Sequence, residues 1–314
     1  TDTAQAGFVA KRMELLAGQA EYFITALEST EPSIDLDNGE QLVGPIHMNC
    51  KPSSDKDLPM PGDNYHYTSG MMNILKLGLP GIASTARANA ATLDGERAQH
   101  LGVIADCYEA TAPYCRKWAT CARDMAENAP SVYHRMRLIT LADNCDALAE
   151  GPPATFHQAT QLVWFSLAFR NNTLFSPLGR LDLYMGPFFE ADLAAGRITT
   201  EMGQDIVDEL FRKIDTIGLG DSLMNLMLGG VDIDGNDMTN DTTIMMINAS
   251  MTQRITSPLI NIRVHKGTPD RLREKITELQ LMGEGKGTLF NDDVVVPMMV
   301  KAGIPVELAR NYAC

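Results

Sequence analysis

Apolar residues Met13, Leu16, Ala20, Phe23 and Leu27 recur at helical spacing, which predicts an opening helix over 10–27. The stretch 35–43 then reads as a turn, Asp37-Asn38-Gly39, followed by a short apolar run. Pro52, Pro59 and Pro61 stand among polar residues from Lys51 to Gly62, so that segment is expected to be irregular. A loop of this length inside a compact domain is more often functional than idle. From Gly70 to about Pro130 the pattern is helical, longest over 95–126 and broken near Pro113. A further helix is predicted over 132–150, ended by Gly151-Pro152-Pro153. A strongly apolar one follows over 155–169, with Trp164 and Phe165 inside it. Pro177 and the asparagines before it make 171–179 a loop.

The last third changes period. Leu223 to Val231 reads as a buried strand, followed by a Gly/Asp turn and a helix from Asp241 to about Met251. Pro258 to Val264 alternates as a strand does. Thr268 with Pro269 behind it predicts an N-cap and first helical position, opening a helix that runs to Met282. Thr288 to Phe290 is a short strand, and helices follow to Ala302 and over 305–312. Strand, helix, strand, helix is the order of a parallel sheet with crossover helices. The alternation is still running at residue 314, so the chain is expected to be one part of a longer protein.

Composition narrows the classes. An apolar fraction of 45% and a charged fraction of 21% belong to a globular chain rather than a disordered one. No apolar run approaches the roughly 20 residues that span a bilayer, and no secretory signal is visible, so no membrane is expected and the default location is cytoplasmic. A net charge of -14 argues against nucleic acid, whose phosphates need basic patches. The cysteines at 50, 107, 115, 121, 145 and 314 show no CxxC spacing and complete no zinc pattern with the histidines. They read as reduced thiols acting as small apolar residues.

Several polar clusters invite a chemical reading beside a plain one. Counting from Asp232 as the first position of a calcium loop, the sixth and twelfth hold Asp237 and Thr243 rather than Gly and Glu, so a solvated turn is expected. Gly283 to Gly287 resembles a phosphate cradle but lacks the Walker spacing, and reads better as a helix-to-strand connector. His66, between Tyr65 and Tyr67, could orient a polar substrate or be satisfied by local backbone groups. Asp292 and Asp293 follow a strand, where acids either anchor a ligand or cap the next helix; capping is the expectation. Arg263 and His265 share one face of a strand and could bind a carboxylate, or simply mark a surface strand end.

A series of strings, in order along the chain, resembles the glycyl radical enzyme family, which includes pyruvate formate-lyase. Asp37 to Gly44 (DNGEQLVG) is similar to the family's early DGELIVG strand, and Ile74 to Ile82 (ILKLGLPGI) to its VLKLGLxGI helix. Leu178 to Met185 (LGRLDLYM) resembles FGRxDQYL, and Leu226 to Asp232 (LMLGGVD) resembles NxTLGGVD. Asn261 to Pro269 looks like LSxRxHxxTP, Thr288 to Asp292 like PxxFND, and Ala309 to Tyr312 like ARxY. The resemblance implies an α/β fold: a helical N-terminal part, over 1–170, plus the first half of a ten-stranded α/β barrel, over 171–314, together forming part of one domain.

The resemblance also implies radical chemistry. A glycine far downstream would hold a backbone radical, installed by a separate S-adenosylmethionine-dependent activating enzyme, and would pass it to a cysteine that takes hydrogen from a small-molecule substrate. No further cofactor is expected to be bound, and the family suggests a homodimer. The catalytic cysteine follows the ARxY string by a few residues. Cys314 falls too early, so no catalytic residue is assigned and a chain of this length is expected to be inert alone. His66 becomes a pocket residue through the resemblance, and Phe175 a weaker one. Two departures stand out: Thr173 to Arg180 replaces the GHSxSFGR of dehydratase relatives, and Gly70 stands where their GHxxPDYEKVL has an aspartate. Both make the pocket less polar than that of a diol dehydratase. Two other classes stay open on the residues: a non-catalytic metabolite- or partner-binding protein of the same fold, and an α/β barrel enzyme using Asp292 and Asp293 for polar catalysis.

Overall fold

The structure, a computed structural model, describes residues 2–36, 39–45, 70–169, 177–218 and 224–312, without the side chains of 2–12 and 217–218. The chain forms two compact units. One comprises Thr1–Asp63, Met72–Ala154 and Gln161–Asn171, and the other Asn64–Met71, Thr155–Thr160 and Asn172–Cys314. Among the described residues no helix is long and apolar enough to cross a membrane.

The first unit is helical. Its elements are α1 (Asp2–Ser29), α2 (Met71–Ala90), α3 (Gly95–Glu109), α4 (Thr111–Glu127) and α5 (Val132–Glu150), and the end of α6 (Phe156–Ala168) belongs to it. In α4, Cys115, Trp118, Ala119, Ala122 and Ala126 are buried at helical spacing. Leu138, Leu141, Cys145 and Leu148 do the same in α5, and the two helices pack along their lengths. Each fully buried leucine or aromatic contributes about 2 kcal/mol of hydrophobic stabilisation before entropy is counted. Burial also pushes the Cys115 thiol up to about 12, so it stays a protonated apolar group. The break expected near Pro113 lies at Ala110, which ends α3 and begins α4. Pro113 has no N–H to give the Glu109 carbonyl, so α3 cannot run on.

Two features of this unit revise the sequence reading. The early strand expected over the DNGEQLVG string is not a strand among the described residues. Instead Val43 pairs with a side chain: its N–H donates to Gln161 Oε1 at 2.8 Å, and Gln161 Nε2 donates to its carbonyl at 2.7 Å. The carboxamide supplies both halves of a strand pairing. Within α2, Gly78 adopts φ 67 and ψ 171, a kink two residues before Pro80. A Cβ there would stand 2.6 Å from the Gly151 carbonyl oxygen and the Pro152 nitrogen. Gly78 is therefore required twice, by its dihedral and by its neighbour.

The second unit holds β1 (Asn225–Gly229), β2 (Leu259–Val264) and β3 (Thr288–Asn291), all parallel, in the order β1-β2-β3. The crossovers are α9 (Asp241–Gln253) and α10 (Asp270–Leu281), and α11 (Asp292–Lys301) and α12 (Val306–Arg310) follow β3. On the other edge of β1, Leu178 N–H donates to the Asn225 carbonyl at 2.8 Å and Met227 N–H to the Gly179 carbonyl at 2.9 Å. That bridge precedes α7 (Leu181–Ala194) and α8 (Thr200–Gly218), a stretch for which the sequence reading assigns no element. Successive strands thus lie side by side in chain order, as an α/β half-barrel requires. β1 and the middle of β2 are buried on both faces, the mark of a parallel sheet, although β2 carries Asn261 and Arg263 among its apolar residues. One cap differs from expectation. Thr268 Oγ1 accepts the His265 N–H at 2.8 Å, closing the turn after β2, so Pro269 takes the N-cap position of α10.

Gly78→Ala is expected to lower stability by roughly 2–4 kcal/mol, from the left-handed dihedral and the backbone clash together. Gly102, inside α3 with open space around its α-carbon, provides the opposite case. Gly102→Ala is expected to raise stability by about 0.5–1 kcal/mol. Urea denaturation midpoints of the two variants check both signs.

Candidate functional site at the carboxyl ends of the strands

In a parallel sheet every strand ends at the same edge, and ligand crevices form there. Here that edge is built from buried charge. Arg180, 1% exposed, follows the bridge beside β1 and donates to the Gly229 carbonyl at 2.7 Å and the Val231 carbonyl at 3.2 Å. Asp182, in the first turn of α7, accepts the Gly229 N–H and the Thr243 hydroxyl, each at 2.8 Å. The two side chains hold the end of β1 by its donors and acceptors alike. Burial raises the Asp182 carboxyl above its usual range, against the pull of these hydrogen bonds. Burial, and then the neighbouring Arg263 charge, lowers the Arg180 guanidinium.

Arg263, on β2 and 0% exposed, forms a two-pronged pair with Asp292, Nε to Oδ1 at 2.9 Å and NH2 to Oδ2 at 2.8 Å. It also donates to the main-chain carbonyls of Arg310 at 2.7 Å and Tyr312 at 3.1 Å. The Tyr312 ring lies under the guanidinium, 4.1 Å from its carbon, and the Tyr312 hydroxyl returns a 2.7 Å bond to Asp292 Oδ1. Val231 N–H donates to Asp292 Oδ2 at 3.2 Å. Gly230, at φ 80, makes room: a Cβ there would lie 2.6 Å from Arg263 Nε. Beside this network is a cleft of about 360 Å³ lined in part by Asp234, His265, Lys266, Asp293 and Arg310.

The pyruvate formate lyase-like family model matches residues 54–314. The chain belongs to that family. A (2S)-3-sulfopropanediol dehydratase of Klebsiella oxytoca is 31% identical over 277 residues, covering 79% of this chain and 33% of the relative. A structure describing 1,2-propanediol dehydration in Roseburia inulinivorans superposes with a TM-score of 0.73 at 30% identity, covering 80% of this chain and 34% of that one. A glycyl radical enzyme from Archaeoglobus fulgidus gives a TM-score of 0.72 at 27% identity, covering 79% and 35%. The chain thus spans about a third of the length of the relatives it matches.

Five of the seven strings that suggested this pyruvate formate lyase-like family meet physically at the strand ends. GRLD supplies Arg180 and Asp182, LGGVD the backbone they hold, NIRVH Arg263, FND Asp292, and ARNY Tyr312. The sequence reading missed this convergence. The available signal was a charge inside a strand, Arg263 between two branched apolar residues, buried Ile262 and half-buried Val264.

The surface-strand-end alternative for Arg263 is corrected by its full burial, and its carboxylate partner is internal. Contrary to the expectation of capping, Asp292 does not cap α11. Asn291 does, accepting the Asp293 N–H at 3.0 Å, while Asp292 turns inward to Arg263. Asp293 accepts the Lys266 N–H at 2.6 Å on the surface. The two acids therefore face different partners, which removes the polar-catalysis alternative built on them as a pair. His265 Nε2 meets Asp237 Oδ1 at 2.9 Å and its Nδ1 accepts the Gly267 N–H at 3.1 Å, so both ring nitrogens are engaged. Asp232 receives the N–H groups of Asp234 and Asn236, as a solvated turn does. Among the described residues no group of three or more metal-ligating side chains occurs. His66, Phe175 and Cys314 lie outside the described residues.

Asp292→Asn strips Arg263 of its buried counter-charge and is expected to cost about 3–5 kcal/mol. Asp293→Asn, on the surface, is expected to change stability by less than about 1 kcal/mol; chemical denaturation separates the two. Burial, and then the bond to Asp292, keeps the Tyr312 hydroxyl protonated above its ordinary value of 10.0. Above that pH the unfolded chain releases a proton that the folded one keeps, so stability falls as pH climbs. Tyr312→Phe lacks this group, and its stability between about pH 9 and about pH 11 is expected to fall less steeply than the wild type's. Denaturation midpoints across that range check the slope.

Proposed function

We propose that the protein bearing this chain is a glycyl radical lyase acting on a small organic substrate, breaking a C–C or C–heteroatom bond. Family membership carries the reading, and the dehydration chemistry named for the similar proteins supports loss of a leaving group from a small hydroxylated substrate. When the backbone radical is supplied, a cysteine sulfur gives its hydrogen atom to the glycyl carbon, takes one from a substrate carbon, and returns it to the product radical. Nothing is oxidised or reduced overall.

This chain's own residues build walls. The buried strand ends exclude water, which a radical reaction needs. Arg263 and Asp292 pair with each other, and Arg180 and Asp182 hold the end of β1, so these four buried charges serve the strand ends, with Arg180 Nε left without a partner among the described residues. His66 and Phe175 are proposed as substrate contacts, His66 as hydrogen-bonding partner to a polar group and Phe175 as an apolar wall. The replacement of the GHSxSFGR string and the glycine at Gly70 favour a substrate with fewer hydroxyls than a triol. A radical S-adenosylmethionine activating enzyme as partner, assembly as a homodimer and a cytoplasmic, anaerobic setting complete the proposal.

The whole enzyme, treated anaerobically with its activating enzyme and S-adenosylmethionine, is expected to give an electron paramagnetic resonance doublet. It should then convert one member of a panel of 1,2-diols, hydroxysulfonates and hydroxy acids. His66→Ala should keep the doublet and raise KM roughly tenfold, the loss of about one hydrogen bond to substrate. No doublet despite an activase proven on another glycyl radical protein sinks the reading.

A further inference from the structure

Arg263 spends four hydrogen bonds in two directions. Two go to Asp292 at the end of β3, and two go to main-chain carbonyls at Arg310 and Tyr312, where α12 has just ended. Asp292 in turn takes the Val231 N–H beyond the end of β1 and the Tyr312 hydroxyl. From its other side the same segment is held by Arg310, whose guanidinium donates to the Ile233 carbonyl at 2.9 Å. Residues 310–312 are thereby fixed against all three strand ends. Stability alone is a weak reason for this arrangement, because a buried ion pair is matched or bettered by apolar residues of the same volume. What apolar residues cannot give is a directional hold on two carbonyls, one at the last residue of α12 and one just beyond it. A lysine could keep the charge but could not reach two carboxylate oxygens and two carbonyls together.

We infer that Arg263 is a positioning residue, setting through Asp292 and Tyr312 the place of residues 310–312, and with it the point from which the outgoing chain continues. The inference rests on the radical-lyase reading above, in which the hydrogen-abstracting cysteine belongs to that outgoing chain. Arg263 itself touches no substrate. Its action is geometric, and a displacement of about 1 Å of a reacting group costs on the order of a hundredfold in rate.

The test uses the whole activated enzyme and compares wild type with Arg263→Lys. The doublet per protomer and KM are expected to stay within about twofold, while kcat falls roughly 10–100-fold. The deuterium isotope effect on kcat, read with substrate labelled at the abstracted hydrogen, is expected to rise as abstraction becomes slower. A purely structural defect would remove active molecules without moving the isotope effect, and that outcome overturns the inference. So does an unchanged kcat. Should Arg263→Lys fail to fold, Tyr312→Phe, which keeps the ring under the guanidinium and loses one hydroxyl, is expected to give the same pattern about 3–10-fold weaker. An unaltered kcat and isotope effect in that variant would likewise overturn the inference. A wild type without a doublet counts against the lyase reading itself, so the two failures are distinguishable.

Discussion

A guanidinium and a carboxylate sealed away from water govern the carboxyl edge of this sheet. Burying either Arg263 or Asp292 without the other would cost several kcal/mol. Each must therefore find the other, and doing so fixes the end of β2 against the end of β3. The remaining lone pairs and N–H groups then demand partners, and Val231, Arg310 and Tyr312 provide them. Gly230 is glycine because the guanidinium occupies the space of a side chain. The edge is rigid because polar demands inside a low-dielectric region can be met in few ways.

Much of the fold was legible in the residues. The parallel β/α alternation after residue 223 follows from apolar runs separated by amphipathic stretches, and the structure has it. α8 carries a plain helical period at Ile206, Val207, Leu210, Phe211 and Ile214 and was equally open to reading. α7 was not, because it is apolar on most sides and holds Gly186 and Pro187, which blur any period. The early strand, expected from the resemblance of DNGEQLVG to a family string, misled for a different reason: a string marks a segment that is paired, not whether a strand or a carboxamide supplies the pairing.

The site was less legible than the fold. Arg263 and Asp292 stand 29 positions apart and meet only once β2 and β3 are paired in register. Which of two adjacent acids turns inward is decided by Asn291, since a residue that caps the helix frees its successor for another task. Family strings marked the positions without saying why they belong together. The hydrogen bonds supply the reason: the five strings from residue 178 onward record the separate pieces of one electrostatic knot.

Gln161 and Val43 illustrate how narrow such solutions are. The carboxamide works because it presents one oxygen and one nitrogen to a peptide unit presenting the complementary pair. Exchanging a single NH₂ for an oxygen, as spontaneous deamidation would, sets a carboxylate against the Val43 carbonyl inside a dry interior. Burial shields that amide from the water needed for such ageing, so the contact guards the chemical identity of the group that makes it.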